Sequence, residues 1–279
     1  MRSIMMIVNE KREDAAKLAS QVQVALKERE IAVVGAESDR DVELVLVFGG
    51  DGTILWSAQA ARERSIPLLG VNLGHMGFLA EAEVSSLESL VDRVAAADYA
   101  VEERMTLELD VQMPDGSVQH DWAINEAAIM RTDLAHPAHF GIGVDGQGVS
   151  TYGADGIILS TPTGSTAYSY SAGGPVVWPD TEAVLMVPLA AHGLFTRPLV
   201  VGPNSELEVS ILKQQWADIE VWCDGIRRIT APAGTRILCR PSKVPVKLAR
   251  LSDTPFSARL VAKFDLPVSG WRRLGLEES

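Results

Sequence analysis

The chain has 279 residues, of which 47% are hydrophobic and 22% are charged, and its formal net charge is −12. These values are ordinary for a soluble globular protein with one large or two medium domains, and the acidic balance argues against nucleic acid or an anionic membrane as a partner. We expect neither a secretory signal nor a membrane-spanning helix, which needs roughly 20 apolar residues. A cytoplasmic location follows, with Cys223 and Cys239 kept as reduced thiols.

The first hundred residues alternate between strand and helix patterns. Continuous apolar runs predict buried strands at 3–8, 42–48 and 66–72. Helical patterns occupy the intervals, at 13–30, 53–65 and 85–99. Ser85 or Ser86 is placed to cap the last of these helices. Continuous apolar strands separated by helices are typical of a parallel sheet that is covered on both faces.

After about residue 100 the hydrophobic period changes to two. Apolar and polar residues alternate in 105–113, and Asp145 and Asp224 each precede a glycine, as in hairpin turns. We therefore predict two domains. The first, at 1–105, is an α/β domain with a parallel sheet, and the second, at 106–261, is β-rich and largely antiparallel.

The sequence GGDGT at 49–53 lies between a buried strand and a helix. Turns at the carboxyl ends of parallel strands form the ligand crevice, and glycines allow backbone N–H groups to approach an anion. A carboxylate repels phosphate, so Asp51 makes chemical sense if it contacts a hydroxyl that must lose its proton beside the phosphate. The alternative interpretation is that Asp51 only caps the helix.

Three further polar features stand out. A second glycine-rich crossover follows the third strand at 70–81, and its Phe78 either joins the core or faces a ligand ring. Asn125 and Glu126 interrupt an apolar strand and need partners, either in a ligand cleft or in structural hydrogen bonds. The segment 152–175 is rich in hydroxyl residues and glycines. As a long irregular segment it favours a loop that contacts a sugar or a base edge, with a plain solvent loop as the alternative.

Taken in order, these motifs resemble the NAD kinase family. The matching stretches span nearly the whole chain and are GGDGT at 49–53, NLGHMGF at 72–78, NE at 125–126, DGIILSTPTGSTAYSYSAGGP at 155–175, CDG at 223–225 and the closing FDLPVSGWR. The ending is most similar to actinobacterial members of the ATP/polyphosphate type. The resemblance implies an NAD kinase-like, two-domain fold. In that fold the β-rich domain binds the dinucleotide, and a tail at about 262–279 returns to the α/β domain.

The resemblance also implies an activity. It is the transfer of the γ-phosphoryl group of ATP, or of a polyphosphate phosphoryl group, to the 2′-hydroxyl of the adenosine ribose of NAD, which gives NADP. Mg²⁺ or another divalent cation would arrive with ATP, and no residue is assigned as a metal ligand. The expected partners are NAD and ATP, and the expected assembly is a homodimer or homotetramer. Two alternatives stay open: a non-catalytic NAD(P)-binding sensor, and a lipid or sugar kinase that shares only GGDGT.

Residue roles follow from the same resemblance. Asp51 matches the proton acceptor, Asn125 and Glu126 match the pair that holds the adenosine half, and Asp155 matches the carboxylate facing the nicotinamide half. The other positions expected to line the substrates are Gly52, Phe78, His136, Thr163, Ser165, Thr166, Ala167, Tyr168, Ser169, Tyr170 and Ser171.

Two positions depart from the pattern of the family. Trp56 and Gly153 occupy places where many members have a basic residue. Both changes leave open which groups supply positive charge for the phosphates.

Overall fold

The computed structural model of the protein describes residues 2–72, 77–81 and 86–268. The chain forms two compact units: Met1–Glu103 together with Val246–Ser279 make up unit 1, and Arg104–Pro245 make up unit 2. None of the helices in the described ranges is long and apolar enough to cross a membrane.

The elements follow one another with short connections. The first part of the chain contains β1 Ser3–Val8, α1 Glu13–Glu28, β2 Ala32–Val34, β3 Leu44–Phe48, α2 Asp51–Glu63, β4 Leu68–Val71, α3 Leu87–Ala96 and β5 Ala100–Arg104. The middle part contains β6 Leu107–Gln112, β7 Val118–Ala123, β8 Glu126–Arg131, β9 Ala138–Val144, β10 Gln147–Ala154, β11 Gly156–Ser160, a 3₁₀ turn Thr163–Thr166, α4 Tyr168–Ser171, β12 Val184–Leu189, β13 Leu199–Val201, β14 Leu207–Ile211, β15 Ile219–Cys223, β16 Arg227–Ala231 and β17 Arg236–Pro241. The described chain ends with β18 Val246–Arg250 and α5 Phe256–Phe264.

Unit 1 is built on a six-stranded sheet in the order β2-β1-β3-β4-β18-β5. The strands from β2 to β18 pair in parallel, which confirms the predicted sheet. All five residues of β3 are buried, as expected for a strand covered on both faces. Ser86 is the cap of α3, because its hydroxyl accepts the Ser89 N–H at 3.1 Å.

Unit 2 contains two six-stranded sheets, β10-β9-β14-β17-β6-β7 and β13-β12-β11-β8-β15-β16. Neighbouring strands in both sheets pair antiparallel, as the alternating pattern predicts. One core holds side chains of both sheets, such as Val111 and Phe140 of the first and Ile129 and Val221 of the second. Unit 2 is therefore a β-sandwich.

The two Asp-Gly pairs form the predicted turns. Asp145 and Gly146 have φ angles of 52° and 75° between β9 and β10, and Asp224 and Gly225 have φ angles of 52° and 66° between β15 and β16. Positive φ at both central residues defines the type I′ hairpin, which matches the right-handed twist of the strands.

Two expectations differ from the structure. The segment 152–175, expected to be a long irregular loop, contains the end of β10, all of β11, a 3₁₀ turn and α4. Strand β11 is fully buried and pairs with both β8 and β12, so its backbone groups are satisfied inside a sheet. The chain returns to unit 1 at Val246 and not at about 262, because β18 pairs in parallel with β4 of the first sheet.

Candidate active site

The polar residues of unit 1 gather where three neighbouring parallel strands end. β1, β3 and β4 finish at Val8, Phe48 and Val71, and the Asn9 and Gly49 N–H groups are tied to the next strand by bonds to Phe48 O and Val71 O. This is the sheet edge where α/β proteins bind ligands, because the loops that leave the strands open a crevice there.

Asp51 is the first residue of α2 and does not cap it. Gly50 occupies the cap position, and the Asp51 carboxylate accepts hydrogen bonds from another segment: the N–H of Phe78 at 3.1 Å, and those of Leu79 and Ala80 at 3.3 Å each. The interpretation of Asp51 as a simple helix cap is therefore wrong. We call Gly77–Glu81, the segment that surrounds this carboxylate, the cradle.

A cleft of about 810 Å³ opens beside Asp51. It is lined by Val8, Asn9, Glu10, Lys11, Arg12, Gly50, Gly52, Thr53 and Trp56. A Cβ atom added at Gly50 or Gly52 would meet nothing within 4 Å, so these glycines leave open space at the cleft. Lys11 and the N-terminus of α2 bring positive charge to this cleft, where Trp56 supplies none. The lining also includes Glu10, and the charge of Arg12 is paired with Asp14 at 2.6 Å.

In unit 2 the chain passes from one sheet to the other at Ile124 and Asn125. The buried Asp224 carboxylate fixes this crossing, because it accepts the N–H groups of Ile124, Asn125 and Glu126 at 3.0, 2.7 and 3.3 Å. The Asn125 carbonyl accepts from Thr161 N at 2.9 Å. The predicted continuous strand is thus broken, and both residues of the NE pair have a fixed backbone.

Glu126 carries the most perturbed carboxyl of this region. Its Oε2 atom is buried and has no hydrogen-bond partner, and the residue is 8% exposed. Burial and, next, the nearby Asp224 carboxylate raise the pKa of Glu126 to about 8, although the Tyr168 backbone N–H lowers it in part. A buried, unpaired carboxyl of this kind suits a ligand hydroxyl, which can donate or accept, since an unsatisfied polar atom costs free energy until it is paired.

The segment 163–171 presents two faces. Thr163, Ser165 and Ser169 are buried, and the Ser165 hydroxyl is used internally, since it accepts Val177 N–H at 2.9 Å and donates to Val177 O at 3.1 Å. The Ser169 hydroxyl is buried without a partner. The residues that reach the surface to some degree are Thr166, Ala167, Tyr168, Tyr170 and Ser171.

Asp155 and His136 contact residues that lie outside the sequence motifs. These neighbours are Arg131 for Asp155, and Trp216 and Asp133 for His136. Arg131 donates from Nε to Asp155 at 2.7 Å, so a cation lies in this region although position 153 is glycine. The His136 ring stacks on Trp216 with centroids 4.3 Å apart, and its Nδ1 lies 3.0 Å from Asp133.

Phe78 contributes to unit 1 in two ways. Its ring lies 5.6 Å from that of Phe256 and 6.0 Å from that of Phe264, both on α5, and the residue is 8% exposed. Its backbone N–H is one of the three donors to Asp51. The Phe78 ring is therefore part of the core of unit 1, and its backbone N–H is part of the candidate site around Asp51.

Part of the predicted site lies outside the described residues. Of the motif NLGHMGF, residues 73–76 are not described. Within the described ranges, no group of three or more His, Cys, Asp or Glu side chains is arranged to hold a metal ion.

Comparison with known proteins finds a family model that matches most of each unit. The family model of the ATP-NAD kinase N-terminal domain matches residues 9–99, and that of the C-terminal domain matches residues 124–251. NAD kinase of Leifsonia xyli subsp. xyli is 52% identical over 87% of this chain and 80% of its own. NAD kinase 2 of Streptomyces coelicolor is 53% identical over 82% of this chain and 76% of its own.

Solved structures have the same fold. Yeast NADH kinase complexed with NADH superposes with a TM-score of 0.86 at 22% identity, over 96% of this chain and 89% of its own. An NAD kinase from Archaeoglobus fulgidus in complex with ATP superposes with a TM-score of 0.71 at 28% identity, over 89% of this chain and 93% of its own. With both domain models matched in order and relatives about half identical over most of their length, the chain belongs to the NAD kinase family.

Proposed function

We propose that the chain transfers the γ-phosphoryl group of ATP to the 2′-hydroxyl of the adenosine ribose of NAD, giving NADP and ADP. The observation that carries this proposal is the position of Asp51 beside the cleft, whose lining includes the glycines on either side of it. A carboxylate next to an anion site is unfavourable for binding alone. It becomes useful when a hydroxyl must lose its proton there.

The phosphates of the donor fit the cleft of unit 1. The α2 N-terminus, Lys11 and the Thr53 hydroxyl are groups that hold phosphate oxygens. Mg²⁺ supplies charge neutralisation when it is bound, mainly through the phosphates and one or two carboxylates. The Glu10 carboxylate at the cleft suits that ion.

Asp51 can take part without leaving the cradle. A carboxylate offers about four lone-pair directions, and the three N–H bonds leave one for a ribose hydroxyl. As the hydroxyl oxygen bonds to the γ-phosphorus and the bond to the bridging oxygen of ADP breaks, the hydroxyl proton passes to Asp51 and then to solvent. We place this proton transfer late, when the forming P–O bond has made the hydroxyl more acidic.

The adenosine half of NAD is assigned to Asn125 and Glu126. The unpaired Oε2 of Glu126 provides a hydrogen-bond partner for a ribose hydroxyl, and Asp224 keeps the backbone of both residues fixed. Asp155, together with Arg131, is assigned to the nicotinamide half. His136 and the partly exposed residues of 166–171 complete this proposed binding surface.

The decisive experiment is a matrix of donors and acceptors. Purified protein would be incubated with ATP or polyphosphate and with NAD or NADH, in the presence of Mg²⁺, and NADP or NADPH would be measured. NADP formation is expected with NAD and ATP. Binding of NAD by calorimetry with no product from any pair would instead indicate a dinucleotide sensor. A parallel set of reactions with a diacylglycerol or a sugar as the acceptor tests the other kinases, which product from those acceptors alone would indicate.

We also propose a homodimer or homotetramer. Unit 2 exposes several large apolar side chains, including Leu134 at 85% and Trp216 at 69%. Such exposure favours contact with another subunit. Sedimentation equilibrium would show a single monomeric species if this proposal is wrong.

A further inference from the structure

The cradle is held from behind by a buried arginine. Arg250, the last residue of β18, is 7% exposed and donates to Leu79 O at 2.9 Å and to Phe78 O at 3.2 Å. The same guanidinium donates to Glu81 at 3.1 Å and to Glu102 at 2.8 Å. All these groups belong to unit 1.

Two peptide groups connect Arg250 to Asp51. The peptide between Phe78 and Leu79 accepts from Arg250 through its carbonyl and donates through its N–H to Asp51 at 3.3 Å. The peptide between Leu79 and Ala80 does the same, with its N–H also 3.3 Å from Asp51. Each peptide is thus polarised from both ends in the same sense, with a cation at its oxygen and an anion at its hydrogen, and hydrogen bonds in such chains strengthen one another.

We propose that Arg250 is a positioning residue for the phosphoryl transfer, acting on Asp51 through these two peptide groups. This inference rests on the proposed function of Asp51. The guanidinium fork fits two adjacent carbonyls at once, so it fixes the plane of both peptides and hence the direction of the two N–H donors. Losing one of its bonds lets the carboxylate shift, and a displacement of about 1 Å at a reacting group is enough to cost ~100-fold in rate.

Arg259 provides a matched comparison in the same cluster. It is 5% exposed, donates to Ala80 O at 3.0 Å and pairs with Glu81 at 2.7 Å. The peptide that it contacts directs its N–H elsewhere, because Glu81 N donates to Gly70 O at 2.7 Å. Arg259 therefore supports the same segment without a peptide link to Asp51.

The test compares Arg250→Lys with Arg259→Lys. Both variants keep a buried positive charge, but a lysine offers one nitrogen where Arg250 reaches two carbonyls. For Arg250→Lys we expect kcat for NADP formation to fall about 10- to 100-fold, with the KM values for NAD and ATP changed less than about 2-fold. For Arg259→Lys we expect kcat to stay within about 2-fold of the parent protein. Equal losses in both variants, or an unchanged kcat in Arg250→Lys, would overturn the inference.

Amide hydrogen exchange gives a second measurement that does not depend on turnover. The Leu79 and Ala80 amides should exchange faster in Arg250→Lys than in Arg259→Lys, and equal protection in the two variants would contradict the link. A parent protein that makes no NADP would count against the proposed function, while the exchange comparison would still decide whether Arg250 orders the N–H groups. If Arg250→Lys does not fold, Arg250→Met and Arg259→Met, which keep the buried stem, are compared in the same way.

Discussion

Gly77 and Asp51 approach each other so closely that no side chain fits between them. A Cβ atom built at Gly77 would lie 2.2 Å from Oδ1 of Asp51 and 2.9 Å from its Cγ. The glycine is thus required by space and not by a left-handed backbone. Its absence of a side chain is what allows the next three residues to direct their N–H groups at the carboxylate.

The first prediction is that Gly77→Ala displaces Asp51. We expect kcat for NADP formation to fall about 100-fold, because the carboxylate must move by about 1 Å or more to make room. Stability should also fall by about 1–3 kcal/mol, as the carboxylate and the N–H groups lose bonds. Gly35→Ala is the control, since its Cβ would meet nothing within 4 Å. An active Gly77→Ala enzyme would show that the cradle can rearrange without consequence.

The second prediction concerns Asp51→Asn. An amide replaces one acceptor oxygen by an NH₂ group that faces N–H donors, so the free energy of unfolding should fall by about 1–3 kcal/mol. Because the proton acceptor is lost, kcat should fall by about 10²–10⁴-fold. The dissociation constant for NAD, measured by calorimetry, should change little, since Asp51 makes only one of the proposed contacts with NAD and the others are assigned to residues of unit 2. Turnover within tenfold of the parent would remove Asp51 from the acceptor role.

Most of the secondary structure could be predicted, because the spacing of apolar residues along the chain differs between helices, buried strands and half-buried strands. β3 reads as a continuous apolar run and is buried on both faces, while β6 alternates and is buried on one. The sequence predicts a return of the chain to unit 1 at about 262, whereas the structure has it at Val246. The difference arises because β18, with Lys247 between buried neighbours, has the pattern of a half-buried strand. Its place in a parallel sheet depends on contacts with β4, far away in sequence.

The site was predictable only in part, for the same reason. GGDGT could be placed at a strand end from local pattern, but the partners of Asp51 lie 27 to 29 residues further along. Arg250 is still further, 171 residues from the Leu79 carbonyl that it contacts. The Asp-Gly pair at 224 indicated a turn but not that the Asp224 carboxylate would bind the backbone of Asn125. These residues become neighbours only through the order of the strands in the sheets, and a local sequence pattern does not predict that order.

The third prediction tests whether the cleft receives the donor phosphates. Gly52→Ala adds a methyl group that meets no protein atom, and alanine in the first turn of α2 should raise stability by up to about 1 kcal/mol. We expect the KM for ATP to rise about 10-fold or more, because the methyl group occupies space where phosphate approaches the backbone. Gly35→Ala should leave the KM unchanged. A normal KM in a stabilised Gly52→Ala variant would place the phosphates elsewhere.

The fourth prediction uses the pKa of Glu126, which burial, followed by the Asp224 carboxylate, raises from 4.5 to about 8. Between these values the folded protein holds a proton that the unfolded chain has released. The contribution of Glu126 to stability is therefore fully present below pH 4.5 and is lost as the pH rises through about 8. The total change is at most about 5 kcal/mol, at 1.36 kcal/mol for each pKa unit.

Glu126→Gln removes this titration while keeping the shape of the side chain. Urea unfolding at intervals from pH 5 to pH 8 should show the variant gaining stability relative to the parent as the pH rises. Burial also raises the pKa of Asp224, the titratable neighbour, so Asp224 is left intact in both proteins. Glu182→Gln, which replaces an exposed glutamate in the same unit, is the control, and its stability should differ from that of the parent by the same amount at every pH.

A constant difference in stability between Glu126→Gln and the parent would mean that Glu126 is ionised from pH 5 to pH 8. Its unpaired oxygen would then be a buried anion that lacks a hydrogen-bond donor, and NAD binding would weaken only below pH 5, where the carboxyl takes up a proton.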